Sequence, residues 1–133
     1  VIRLLPALTI TDEEIGEAWA NIGAVHYHRK DFSKALPALK EGLKNKANNF
    51  RILQNLVLVT IQLKLFSESC MYMGILVDIR HNSKQNLPMI MEIQLICRGI
   101  LELETPSEFL VKKFEELLTK IANAYSGGMY MTV

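Results

Sequence analysis

Cysteine is scarce in this chain: two thiols, Cys70 and Cys97, among 133 residues. Two thiols cannot build a disulfide framework, and no secretory segment leads the chain. The expected compartment is therefore reducing and intracellular, cytoplasmic and/or nuclear. An excess of charge of one sign is missing as well. Fifteen Lys plus Arg stand against 14 Asp plus Glu, a formal net charge of +1. That balance argues against a dominant electrostatic grip on nucleic acid or on an anionic membrane. No apolar run approaches the roughly 18 residues that cross a bilayer, so no membrane span is expected. Period-two alternation over a useful length is absent, which leaves no sheet to expect. There is no glycine-rich phosphate loop, and no Ser, Cys or Lys with a recognisable base and oxyanion context. An enzyme reading has nothing to stand on, and no cofactor is expected. What remains is ordinary globular composition, 50% hydrophobic and 22% charged, in a chain long enough to bury a continuous core. It begins at Val1 and not at Met, so a piece of a longer protein is expected.

What is present is a repeat. Shifted by 34 positions, Asn21 falls on Asn55, Lys30 on Lys64, Phe32 on Phe66 and Ser33 on Ser67. Apolar classes align with them: Trp19 with Leu53, Ile22 with Leu56, Leu39 with Met73, Leu43 with Val77. A lag of this size is the length of one helix–turn–helix unit, and the whole chain is close to four such periods.

Helix signals follow the same division. Thr11 with Glu14 three residues on makes a capping box, and Ile15, Ala18, Trp19, Ile22 and Val25 follow at helical spacing. Lys30-Asp31 reads as a turn. Ser33 is placed to cap a second helix with Ala35, Leu36, Leu39 and Leu43 on one face, and Pro37 falls in its first turn. Asn45–Asn49 reads as a polar connector, Phe50–Leu65 as a third helix and Ser67–Arg80 as a fourth. His81-Asn82-Ser83 reads as a loop, and Leu87–Leu101 as a fifth helix with Pro88 near its start. Thr105-Pro106-Ser107-Glu108 orders a capping Thr, a first-position Pro and a box-closing Glu. The sixth helix then carries the stripe Leu110, Phe114, Leu117, Leu118, Ile121 and Tyr125, and Gly127-Gly128 ends it. Met129 and Met131 lie in a tail that need not be ordered. The expected fold is all-α, an α-solenoid of antiparallel helix pairs with about six helices. Its divisions are 1–10 as the remnant of a preceding segment, 11–49 and 50–82 as two repeats, 83–126 as a longer helix pair, and 127–133 as a tail.

Trp19, Ile22, Gly23, His26, Ala35, Leu39 and Gly42 resemble the tetratricopeptide repeat pattern of Trp, Leu, Gly, Tyr, Ala, Phe and Ala. Gly23 and Ala35 are small where paired helices approach closely, with Trp19, Ile22 and Leu39 filling the space between. Gly42 stands where Ala is usual, a change that lowers intrinsic helix stability by about 1 kcal/mol. Residues 50–80 resemble a degenerate second copy, in which Val57, Ser69 and Leu76 replace small residues. The run from Glu17 to Tyr125 is also similar to the C-terminal part of the tetratricopeptide repeat protein 27 family. The segments that carry this similarity are Glu17–Gly23, Asn55–Val59 and Phe114–Leu118.

The resemblance implies a concave face, made by the first helix of each pair, that receives a peptide or a helix of a protein partner. Its lining would be Glu17, Ala20, Asn21, Ala24, Tyr27 and His28, then Arg51, Gln54, Asn55, Leu58 and Gln62. Asn21 and Asn55 could hold a peptide backbone through carbonyl and amide together; the plainer reading is that they bridge adjacent helices. The five-residue clamp that some such grooves use for chaperone carboxylates falls here on Ala20, Ala24, Asn55, Gln85 and Met89. Only Asn55 matches, and no chaperone-tail binding is expected. His26 and His28 point about 200° apart on a helix, so they do not share a metal, and no metal site is expected. Cys70 and Cys97 read as packing residues. The third helix is apolar nearly all round, as befits a central solenoid helix, although Leu58 and Ile61 would serve an apolar partner if they faced a groove. Lys40, Lys44, Lys46 and Arg51 form a basic edge that is either solvated or a contact for RNA. The leading expectation is a non-enzymatic protein–protein scaffold. The alternatives are a structural segment with no ligand of its own, and an RNA-associated assembly factor.

Overall fold

The computed structural model describes residues 10–45, 49–80 and 90–125, and every regular element among them is an α-helix. The order is α1 (Asp12–His28), α2 (Phe32–Asn45), α3 (Phe50–Gln62), α4 (Phe66–Arg80), α5 (Ile90–Leu101) and α6 (Glu108–Tyr125). The protein is all-α, with the packing between neighbours of a helical repeat. Val1 to Thr9, Lys46, the loop at His81-Asn82-Ser83, Gln85, Pro88, Met89, Gly127-Gly128, Met129 and Met131 lie outside the described residues.

The capping box at Thr11 forms in full. Its hydroxyl accepts from the Glu14 N–H at 3.1 Å, and Glu14 Oε1 accepts from the Thr11 N–H at 3.0 Å. The α1–α2 and α3–α4 turns are copies of one another. Lys30 and Lys64 both sit in the left-handed region, at φ 61° and 62°. The Asp31 N–H reaches back to the His26 carbonyl and the Leu65 N–H to the Thr60 carbonyl, both at 2.8 Å. Each is a Schellman turn, with Lys where Gly is usual. The 34-residue lag therefore records a backbone repeat as well as a side-chain one.

Tight packing holds the first pair together. A Cβ on Gly23 would overlap the buried Leu39 side chain. A Cβ on Gly42 would lie 2.8 Å from the Trp19 Cβ and 3.0 Å from the Ile52 Cδ1. Gly42 thus marks a three-way approach of α1, α2 and α3, a packing reason for a residue that propensity alone disfavours. In α3, Ile52, Leu53, Leu56, Val57, Val59, Thr60 and Ile61 are all buried, so it is the central helix of the core. Ser69 occupies the place equivalent to Ala35. Its hydroxyl donates to Thr60 Oγ1 at 2.8 Å, and Thr60 donates on to the Leu56 carbonyl at 2.7 Å. A buried polar pair is thereby satisfied.

Several boundaries differ from the sequence reading. Asp31, not Ser33, precedes α2, and its carbonyl accepts from Lys34 and Ala35. Helix α3 stops at Gln62 because Lys64 turns left-handed. Ser107, not Thr105, caps α6, its hydroxyl accepting from the Leu110 N–H at 3.1 Å. Asn49 is a cap as well as connector, its side chain accepting from the Ile52 N–H at 3.0 Å. Ile22 does not fill the space between α1 and α2: it is 42% exposed, and Val25 is 54% exposed. The buried face of α1 is Gly16, Ala20 and Gly23. Those small residues let α2 come close, which turns the longer apolar side chains outward.

The C-terminal helices also depart from a simple hairpin. Helix α5 packs on α3 and α4, while α6 packs along α4. The Phe66 ring, at the start of α4, covers Gly99 of α5 where a Cβ would otherwise stand. On α6, Lys120 pairs with Asp78 of α4 at 2.9 Å. The last two helices share α4 as their support.

Candidate functional site

Glu17, Asn21, Ala24 and His28 recur every three to four residues along one side of α1, and Arg51, Asn55, Leu58 and Gln62 do the same on α3. The two helices pack together, so the stripes run side by side, each position 34 residues from its counterpart. Glu17, Asn21, His28, Arg51 and Gln62 are exposed, while Ala24, Gln54, Asn55 and Leu58 are half-buried.

Three of these residues are tied to one another. Arg51 Nη1 donates to Glu17 Oε2 at 2.8 Å, and Nη2 donates to Asn21 Oδ1 at 2.6 Å. The Asn49 amide adds a longer bond to Glu17 Oε1 at 3.4 Å. Asn21 therefore bridges α1 and α3 through Arg51. Exposed ion pairs of this kind contribute about 0–1 kcal/mol each, so this one sets geometry more than stability. Asn55 has no hydrogen-bond partner among the described residues, which leaves its carbonyl and amide both available.

Two expected lining residues face elsewhere. Ala20 is wholly buried in the core. Tyr27 turns toward the α1–α2 turn, packing against the core with its ring 5.5 Å from that of Phe32. Ile61 is buried and cannot face a groove. The basic edge is not a free patch either. Lys40 pairs with Glu68 at 3.1 Å, Lys44 with Glu41 at 3.4 Å, and Arg51 with Glu17.

Sequence reasoning missed a second concavity. It lies between α4 and α6, about 560 Å³ in volume, and is lined by Met71, Ile75, Phe109 and Leu117 with Lys113 and Lys120 at its edge. Gly74 forms part of its lining, with Lys120 as its neighbour from α6. Lys113 Nζ stands 5.3 Å from the centre of the exposed Phe109 ring, a cation–π contact. The only sequence signal for this hollow was Phe109, an aromatic residue off the main stripe of α6.

Charge chemistry is sparse. Burial pushes the Cys70 thiol up to about 11, so it is protonated near neutral pH and packs as an apolar group. Burial also raises the Tyr72 hydroxyl. The Glu14 carboxyl is held below its ordinary value, chiefly by the Thr11 backbone N–H and then by the Thr11 hydroxyl. Among the described residues no three His, Cys, Asp or Glu side chains are grouped to hold a metal ion, and no helix is long and apolar enough to cross a membrane. Compared with family models, curated proteins and solved structures, the chain matches none.

Proposed function

We infer that the chain is a non-enzymatic protein–protein interaction scaffold of tetratricopeptide kind, which holds an extended peptide or a helix of a protein partner along α1 and α3. The observation that carries this reading is the register of the two stripes. Positions 17, 21, 24 and 28 recur at 51, 55, 58 and 62 on a packed neighbour, and all are exposed or half-exposed. Repeated side chains at a fixed spacing suit a ligand that also repeats, and a peptide backbone does. Asn55 is the polar anchor, offering one acceptor and one donor group side by side. Leu58 and Ala24 supply the apolar part. The Glu17–Arg51–Asn21 bridge holds α1 and α3 at a fixed separation, so Asn21 acts on the surface through Arg51. With Arg51 already engaged and Ala20 buried, two-charge carboxylate recognition has no counterions, and the ligand is an internal segment and not an acidic chaperone tail.

The test is affinity capture with the intact chain, compared with Asn55→Ala and Leu58→Asp, and with Lys34→Ala on the far turn as control. The expected result is a discrete set of proteins kept by the parent and the control and lost by both face variants. Capture that is identical in all four samples would overturn the reading.

A further inference from the structure

The outward side of α1 carries Ile15, Ala18, Ile22, Val25 and Arg29, flanked at its start by Glu14. Among the described residues no helix covers it. Helix α1 packs on α2 and α3, and its buried residues are those of the opposite side. The repeat shows what such a side is built for. The positions 34 residues after Ala18, Ile22 and Val25 are Ile52, Leu56 and Val59, all wholly buried, with Gly42 of the preceding helix set against Ile52. In this fold that side of a first helix takes another helix.

We propose that the occupant is the same side of α1 from a second copy of this chain, docked antiparallel. The pattern is its own mirror when read backwards: with Ile15 opposite Val25, Ala18 falls opposite Ile22, and the sequence closes on itself about Ala20. Charge agrees with that direction and with no other. The acidic residue is at one end and the basic one at the other, so in this antiparallel register Arg29 lies three residues, about one turn, beyond Glu14 of the other copy at both ends, within reach of its long side chain, while parallel docking sets like beside like. Both groups are available. Glu14 meets Thr11 through Oε1 alone, and Arg29 makes no ion pair among the described residues. The resulting interface is isologous and closes after two copies. It is a single helix pair about 25 Å long, at the small end of specific interfaces, so the dimer is weak and reversible. It leaves the α1–α3 stripes free for a ligand.

Sedimentation velocity of the intact chain between about 5 and 500 µM tests this, a range matched to micromolar dissociation constants. The expected result is a monomer that becomes a dimer within that range. Ile22→Glu weakens association at least about tenfold. Arg29→Glu and Glu14→Lys each weaken it alone, and an equimolar mixture of the two restores it, since the mixed dimer regains an opposite pair at both ends. Circular dichroism melts check that each variant is folded. A chain that stays monomeric to the highest concentration overturns the proposal, whether residues 1–9 or another protein covers the side. A dimer indifferent to Ile22→Glu overturns the location. One whose two charge variants fail to recombine overturns the antiparallel arrangement.

Discussion

Gly42→Ala is the substitution on which helix propensity and packing disagree in sign. Propensity alone favours Ala by about 1 kcal/mol in a helix interior. The structure sets a new Cβ 2.8 Å from Trp19 Cβ, 3.0 Å from Ile52 Cδ1 and 3.4 Å from the Gly16 carbonyl oxygen. Non-bonded carbons settle at about 3.5–4.0 Å, so the contact with Trp19 is short by about 0.7 Å or more. That carbon is one bond from the α1 backbone and moves only with the helix. The Ile52 methyl could rotate, but its side chain is wholly buried among others. Overpacking of this kind costs about 1–3 kcal/mol, and with no partner able to yield, the upper half of that range applies. After the propensity gain, the net loss is about 1–2 kcal/mol, a fall in Tm of about 3–10 °C. Gly74→Ala is the matched control. Its Cβ meets only Lys120, at 3.6 and 3.9 Å, ordinary contact, so the same chemical change there stabilises by up to about 1 kcal/mol. Urea and thermal unfolding followed by circular dichroism measure both. If Gly42→Ala stabilises the chain as Gly74→Ala does, the three-way approach of α1, α2 and α3 is wrong.

Three further outcomes follow from local features. Lys64→Gly relieves a left-handed backbone and raises stability by about 0.5–1 kcal/mol; no gain in a urea melt would contradict the Schellman turn. Thr11→Ala costs about 1 kcal/mol at pH 7. Because Glu14 is held below its ordinary value through Thr11, its contribution is present above the unfolded carboxyl value and is lost as pH falls through the folded one. The gap between parent and variant therefore narrows in acid, and a gap unchanged down to about pH 2.5 would refute the assignment. A thiol reagent at pH 8 should label the half-buried Cys97 of the native chain, leaving Cys70 to react only after denaturation; equal rates would mean that α4 is not packed as described.

Much of this fold was readable beforehand because its punctuation is local. The capping box at Thr11 and the recurrence of Lys30 at Lys64 placed four helices and two turns. Boundaries failed where two residues competed for one role. Ser107 outdid Thr105, since the cap must sit beside the first helical N–H groups, and a Thr two residues earlier is out of reach. The face of α1 was misassigned for a different reason. Periodicity follows the large apolar residues, and here the core side is Gly16, Ala20 and Gly23, which carry little hydrophobic signal. The candidate site was legible as a set of positions but not as a network. Asn21 and Asn55 look equivalent in sequence, yet among the described residues only Asn21 meets a cation, because Arg51 reaches back to α1. The α4–α6 hollow depends on α6 lying along α4, which no local pattern encodes.

The shared use of α4 has a consequence for how the chain comes apart. In a string of repeats stability passes from neighbour to neighbour, and a break ordinarily releases everything beyond it. Here α6 is anchored to α4 directly, by Lys120 on Asp78 and by the buried Leu110 and Leu117, and α5 is anchored to α4 separately through Phe66. The end of the molecule is a fork, not a link in a chain. Helix α5 has a route to open while α6 stays in place, and amide hydrogens on the two helices then exchange with different opening energies, whereas losing α4 releases α6 and leaves α5 only its contact with α3.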